Sequence, residues 1–399
     1  MNDTVLLRRQ PIVNRLQEPV GYDLALISTH GEHAATGGMA ALVAGATRED
    51  GFFVRVPNRF ALAECTQVEV ERAEGASAGR FVVSLRAQDA PDDAVGLARS
   101  WKAAGFGLCV DCIHGPPPLP ELLDLAGYLR LDAGAGSGSL NSLAGNLRRH
   151  PGKQIVNGID TRRAFDAAVQ AGCELFQGYF FLEASGSGAQ AASPGYSTIV
   201  GLMKLTRDDA PVARIEEALK RDAALSFKLL RYINSVGFGL SCEIQSFKHA
   251  VAVLGYQNLY KWLALLLVTA ARERGCAALV TTAVTRGRLA ELLGHALFDA
   301  HERDNLFLAG AFSLLHVILG LPLEKITEQV ALPEAVTDAL FHRAGPFGPI
   351  LDLVELVERL EEPGRAARAD ELTLSLGLSA DAVNRAHVDA MAWAEGLGR

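Results

Sequence analysis

Gly21-Tyr22-Asp23-Leu24-Ala25-Leu26-Ile27, led in by Gln10-Pro11-Ile12-Val13 and Pro19-Val20, is the stretch on which the reading of this chain turns. It alternates apolar and polar residues between turn-forming Pro and Gly, the pattern of a first buried strand. From there to about residue 185, apolar runs alternate with amphipathic stretches. Residues 52–56, 81–85, 106–110, 128–131, 154–156 and 175–176 read as strands. Helical patterns at 57–65, 93–104, 120–127, 140–149 and 161–171 lie between them. Such alternation predicts parallel strands with crossover helices, and a compact (β/α) barrel is one fold of this kind. Its chemistry would sit at the C-terminal ends of the strands.

Composition narrows the classes. A chain of 399 residues invites two domains, and 49% apolar residues suffice to fill both. A net charge of -8 argues against a general nucleic-acid or anionic-membrane partner. The six Cys are scattered, as expected of reduced thiols in the cytoplasm. Met1-Asn2-Asp3-Thr4 opens no signal peptide. Residues 262–271 are too short to span a bilayer, and 306–323 reads as one buried core helix ending at Pro322.

Residues 171–181 (AGCELFQGYFF) and 155–165 (IVNGIDTRRAF) complete a set of motifs with 21–27. Together these resemble EAL domains, the barrel phosphodiesterases that hydrolyse cyclic di-GMP. The resemblance implies a strand-one Glu on metal, here Asp23, and an Arg on phosphate, here Ile27. It places the family's Asn near Arg55, its Glu pair at Ser84 and Ala87, and its Asp pair at Asp111 and Cys112. The family's Lys becomes Arg130 with Asp132 kept, its next Glu is Asn157, and the following acid is Asp160. Asp23, Asp111, Arg130, Asp132, Asp160 and Gln177 are then vestigial site positions. No catalytic residue, no metal ligand set and no cofactor is expected from them.

Two local patterns carry less. Cys109 and Cys112 lie three apart on a strand, so they face opposite sides and chelate nothing; they read as buried structural thiols. Gly134-Ala135-Gly136-Ser137-Gly138 fits neither a dinucleotide fingerprint nor a P-loop and reads as a flexible loop.

Residues 185–196 are small, polar and breaker-rich, a flexible linker between a barrel at 1–184 and a second domain at 197–399. Beyond them the pattern is all helical: 198–205, 212–220, 222–236, 247–254, 258–273, 280–293, 306–319, 323–329, 333–341 and 350–360, with a last helix capped at Ser379. Residues 222–235 (DAALSFKLLRYINS) and 244–255 (IQSFKHAVAVLG) resemble an HDOD domain, a relative of the HD phosphohydrolases. None of the ten His precedes an Asp, so the metal-binding dipeptide of that family is missing. His316, in its place, reads as a hydrogen-bonded histidine in an apolar helix. Lys220, Arg221, Lys228 and Arg231 read as a solvated basic face.

The combination resembles bacterial EAL–HDOD proteins. It implies a catalytically inactive signalling scaffold that works through protein partners in a cyclic di-GMP pathway of motility, biofilm or virulence. A receptor that binds cyclic di-GMP without cleaving it is the alternative, and an active phosphodiesterase the third reading. Membrane and nucleic acid are not expected partners, and a homodimer is compatible with the sequence.

Overall fold

A computed structural model describes residues 4–28, 60–64, 81–86, 93–112, 120–135, 137–183, 194–220, 246–269, 277–330 and 332–397, with isolated residues between 225 and 244. Two compact units result. The first comprises Met1–Glu183 together with Leu356–Glu371; the second comprises Ala184–Glu355 and Leu372–Arg399. The linker expected at 185–196 lies almost wholly outside the described residues, as do residues 222–224 and most of the basic set at 220–231.

In the first unit the strands are β1 (Val5–Val13), β2 (Pro19–Ser28), β3 (Phe60–Glu64), β4 (Phe81–Arg86), β5 (Gly107–Asp111), β6 (Tyr128–Asp132), β7 (Lys153–Asn157) and β8 (Leu175–Gln177). They form one sheet that closes in sequence order. The chain therefore combines an α/β closed sheet with a helical second unit.

Closure differs from an all-parallel barrel. β1 runs antiparallel to both β2 and β8, while every other neighbouring pair is parallel. The quoted stretch is thus the second strand, not the first. Helix-forming Ala, Leu and Glu made residues 57–65 read as a helix, but Phe60–Glu64 pairs with β2 and β4 as a strand. The strand expected at 52–56 falls outside the described residues.

A β-bulge sets which side chains enter the barrel. Ile12 pairs with Gly21 and Val13 with Pro19, so Val20 is the extra residue. Ile12, Val82, Cys109, Ile155 and Leu175 make an apolar layer, with Val20 and Tyr128 against it. Two residues along each strand returns to the same face. Gln10, Asp23, Ser84, Asp111, Arg130 and Gln177 consequently form a polar layer next to the apolar one.

Side-chain caps start two helices of the first unit. Asp93 accepts from Gly96 N–H ahead of helix Ala94–Ala103, and Thr161 accepts from Ala164 N–H ahead of Arg162–Gln170. The glycine-rich run at 134–138 is not a free loop. Ala133–Ala135 is a 3-10 turn, Asp132 accepts from Gly134 N–H, and helix Ser137–Leu147 begins within the run.

The second unit is helical throughout its described residues. Helix Phe247–Thr269 is broken at Gly255, where φ is 75°. The stretch read as one core helix at 306–323 is two: Ala300–Phe312 and Leu315–Leu319. Ser313 closes the first helix, its N–H donating to Ala309 O and its hydroxyl to Gly310 O, and Leu314 leaves helical geometry. Gly310 is tied to its neighbour, because a Cβ there would lie 2.5 Å from Arg286 O. Among the described residues no helix is long and apolar enough to cross a membrane.

Gly178, directly after β8, tests the closure. Its φ is 143°, and a Cβ would stand 2.2 Å from Ile159 O. Gly178→Ala is expected to destabilise the first unit by about 1–3 kcal/mol. A urea unfolding midpoint unchanged from wild type would contradict this.

Candidate functional site

The polar layer is a linked set of ion pairs rather than a ring of free carboxylates. Asp23, on β2, is 3% exposed. Its Oδ2 accepts from Arg8 Nη2 at 2.7 Å and from Gln177 Nε2 at 2.8 Å. Its Oδ1 lies 3.8 Å from Arg130 Nη1. Arg130, from β6, donates to Asp111 Oδ2 through Nη2 at 2.6 Å and Nε at 3.1 Å. Gln177 Nε2 also donates to Gln10 Oε1 at 2.7 Å. Gln10 Nε2 donates in turn to Glu361 Oε1 at 2.9 Å.

Burial alone would lower the pKa of Arg8, but Asp23 and Glu361 beside it outweigh that and raise it. Burial likewise opposes the charge on Arg130, and Asp23, Cys109 and Asp111 reverse the balance upward. Both guanidiniums therefore stay charged inside the barrel. Three buried polar atoms of the network lack a hydrogen-bond partner, Arg8 Nε, Gln177 Oε1 and Ser84 Oγ.

Of the six positions marked from the sequence, four meet here: Asp23, Asp111, Arg130 and Gln177. The other two do local work. Asp132 caps the turn at Gly134, and Asp160 accepts from Tyr179 N–H at 3.1 Å. Arg8, Gln10 and Glu361 were missed. The polar run Arg8-Arg9-Gln10 inside an otherwise apolar strand was a usable signal for the first two. Glu361 left none, being 351 residues from Gln10.

The divalent metal that the EAL resemblance implies does not fit the described residues as arranged. Asp23 already accepts from two groups and faces two guanidiniums, and a cation there would meet their positive charge. Among the described residues no three His, Cys, Asp or Glu gather around a common point. Of the other ligand positions, Arg55 and Ala87 lie outside the described residues. β3 ends at Glu64, in register with Ser84, so the strand-end residue next to β2 is an acid and not Arg55.

Cys109 and Cys112 are both buried, and each thiol is pushed up to about 12, chiefly by burial. In the second unit Lys261 Nζ holds Glu291 and Asp304, each at 2.7 Å, and with Arg288 it keeps the Glu291 carboxyl low against burial. Arg286 and Arg343 both pair with Glu355. His316, expected within an apolar helix, is exposed on the short helix Leu315–Leu319.

The helical half matches a known family. Residues 196–335 match the HDOD domain, so the helical half carries an HDOD domain. A protein of Vibrio cholerae named cyclic di-GMP phosphodiesterase CdgJ is 30% identical over 247 residues, 61% of this chain and 56% of that protein. YuxH of Bacillus subtilis, an uncharacterized protein, is 30% identical over 208 residues, 51% of each chain. The chain spans about half the length of these curated relatives. The EAL domain of Mycobacterium smegmatis DcpA overlays 44% of this chain and 90% of its own, at 16% identity and a TM-score of 0.37.

The first of these relatives corrects the expectation of an inactive scaffold without enzymatic activity. A protein 30% identical over 247 residues carries an enzyme's name, so departures from a motif's ligand set do not make this chain a non-enzyme.

Two outcomes follow from the network and the thiols. Asp23→Ala leaves Arg8 and Arg130 short of a counter-charge and is expected to cost about 3–5 kcal/mol. Asp160→Ala removes one turn contact, worth about 1 kcal/mol. Equal shifts of the urea midpoint for the two variants would contradict the assignment. Because their folded pKa values lie far above 8, Cys109 and Cys112 are neutral thiols at that pH. Iodoacetamide should leave both unmodified until denaturant is added, and peptide mapping that finds either alkylated in the native protein would be inconsistent with their burial.

Proposed function

We propose that this chain is a phosphodiesterase of cyclic di-GMP signalling, with its substrate phosphate bound at the polar layer of an EAL-type first unit. The observation that carries the reading is the pair of buried, charged guanidiniums Arg8 and Arg130 beside Asp23, Asp111 and Gln177. The name of the Vibrio relative supports the same substrate. The placement of the 21–27 motif on β2 and of Gln177 at the end of β8, bridged by β1, supports the EAL-type assignment.

Chemistry and geometry agree on the ligand's charge. A phosphodiester is an anion with two unesterified oxygens, and a guanidinium fork matches that geometry. In hydrolysis a water oxygen bonds to phosphorus and one ribose oxygen leaves with a proton, which opens the ring to a linear dinucleotide. Arg8 and Arg130 would orient the phosphate and stabilise charge that builds on its oxygens. Asp111, once a phosphate oxygen takes over part of Arg130, would be free to accept a proton from the attacking water. The unpaired Gln177 Oε1 offers an acceptor that can orient that water.

Incubation of the full chain with cyclic di-GMP in buffers containing Mg²⁺ or Mn²⁺, followed by chromatography, should yield the linear dinucleotide. Arg130→Met is expected to lower kcat/KM at least ten-fold. Absence of product would sink the enzymatic reading, whether or not the ligand binds. Equal turnover by the variant would move the site away from this layer.

A further inference from the structure

The first unit includes a stretch that its own sequence half does not supply. Leu356–Glu371 clusters with Met1–Glu183, and its central residues 357–364 are turns rather than helix. Val357 and Leu360 are buried anchors. Between them and just beyond, two acids reach β1. Glu358 Oε1 lies 3.8 Å from Arg9 Nη2, and Glu361 lies 3.7 Å from Arg8 Nε while accepting from Gln10. Arg359 sits over the Tyr179 ring at 5.1 Å, and the Tyr179 hydroxyl donates to Arg9 O.

This crossing lies beside one of the two shortest ladders of the described sheet. β1 and β8 pair only through Ile12–Gln177 and Val13–Phe176. Beyond that point Gly178 N–H donates to Pro11 O at 3.4 Å, and among the described residues the β1–β8 ladder adds no further pair. The stretch lies against this part of β1, next to the polar layer.

The fit is electrostatically incomplete. Arg9 is 1% exposed, yet Nε, Nη1 and Nη2 all lack hydrogen bonds, and Arg8 Nε lacks one as well. A buried guanidinium without hydrogen bonds is an unfavourable arrangement. The carboxylates stand close enough to neutralise charge and too far to complete the bonds. The Arg8–Glu361 contact, at 3.7 Å, is one that an anion making a shorter bond to Arg8 can replace.

We infer that Leu356–Glu371 is an autoinhibitory strap whose Glu361 carboxylate takes, on Arg8 and Gln10, the place of a phosphate oxygen. This deepens the phosphodiesterase reading and rests on it for the identity of the ligand. The strap's apolar anchors hold it down in the absence of ligand. A phosphate group arriving at Arg8 competes with Glu361 and lifts the acidic edge of the strap.

Hydrogen exchange of the full chain reads the strap directly. Without ligand, amides of 357–364 in Glu361→Gln should exchange at least ten-fold faster than in wild type, with the β4–β7 amides unchanged as the check on folding. Unchanged exchange at 357–364 overturns the strap whatever the protein does with cyclic di-GMP. On wild type, inorganic phosphate should accelerate the same amides relative to chloride at equal ionic strength, and no acceleration overturns the competition at Arg8 even where the variant fails to fold. Calorimetric titration of Glu361→Gln with cyclic di-GMP should give a Kd at least three-fold lower than wild type. If exchange responds to the variant and to phosphate while cyclic di-GMP neither binds nor turns over, the strap stands and the substrate assignment falls.

Discussion

The Asp23 carboxylate is a buried charge on which three strands converge. β1 supplies Arg8, β8 supplies Gln177, and β6 brings Arg130 within reach of its second oxygen. Unpaired in the interior, such a carboxylate would be strongly disfavoured. Paired, it couples the registers of its neighbours. A one-residue slip of β1 would turn Arg8 and Gln10 out of the barrel and bring Arg9 in. The bulge at Val20 works in the same direction, because it lets Val20 pack on the apolar layer while Asp23 still faces inward. Closure between β1 and β8, which share two residue pairs, is thus held as much by Gln177 bridging Gln10 and Asp23 as by backbone bonds.

The balance of charge in that layer bears on its chemistry. Two aspartates face two arginines, and Glu361 adds a further negative group from the 356–371 segment. A metal site concentrates negative charge for a cation, whereas this layer disperses it. An incoming anion meets a different situation, since each guanidinium can exchange a carboxylate partner for a phosphate oxygen of similar geometry. Every such exchange also releases a carboxylate. On the proposed function, binding and the appearance of a base would thus be linked through the same ion pair, Arg130 and Asp111.

Much of the fold was legible because parallel, buried strands read as short apolar runs. β4 to β8 were found within a residue or two, and Ser379 announced the last helix. β3 was not legible, since Phe60-Ala61-Leu62-Ala63-Glu64 has helical propensity and becomes a strand only between two neighbours. The full length of β1 was hidden by Arg8, Arg9 and Gln10, whose polarity interrupts the pattern and whose burial depends on distant partners. The same reasoning divides the site. Asp23, Asp111, Arg130 and Gln177 were visible through a motif, while Glu361 was invisible because nothing local ties a turn near the end of the helical half to the first strand.

The helix read at 57–65, a strand over Phe60–Glu64, also shows how a ligand count can mislead. With residues 52–56 taken as the strand beside β2, its end falls near Arg55, a positive charge that argues against metal and against catalysis together. With Phe60–Glu64 in that place, the strand ends on an acid in register with Ser84. A single shift of a strand assignment changes which residue is counted at that strand end. What separates the two readings is not how many familiar ligands remain but whether the ion pairs around Asp23 can exchange their carboxylates for phosphate.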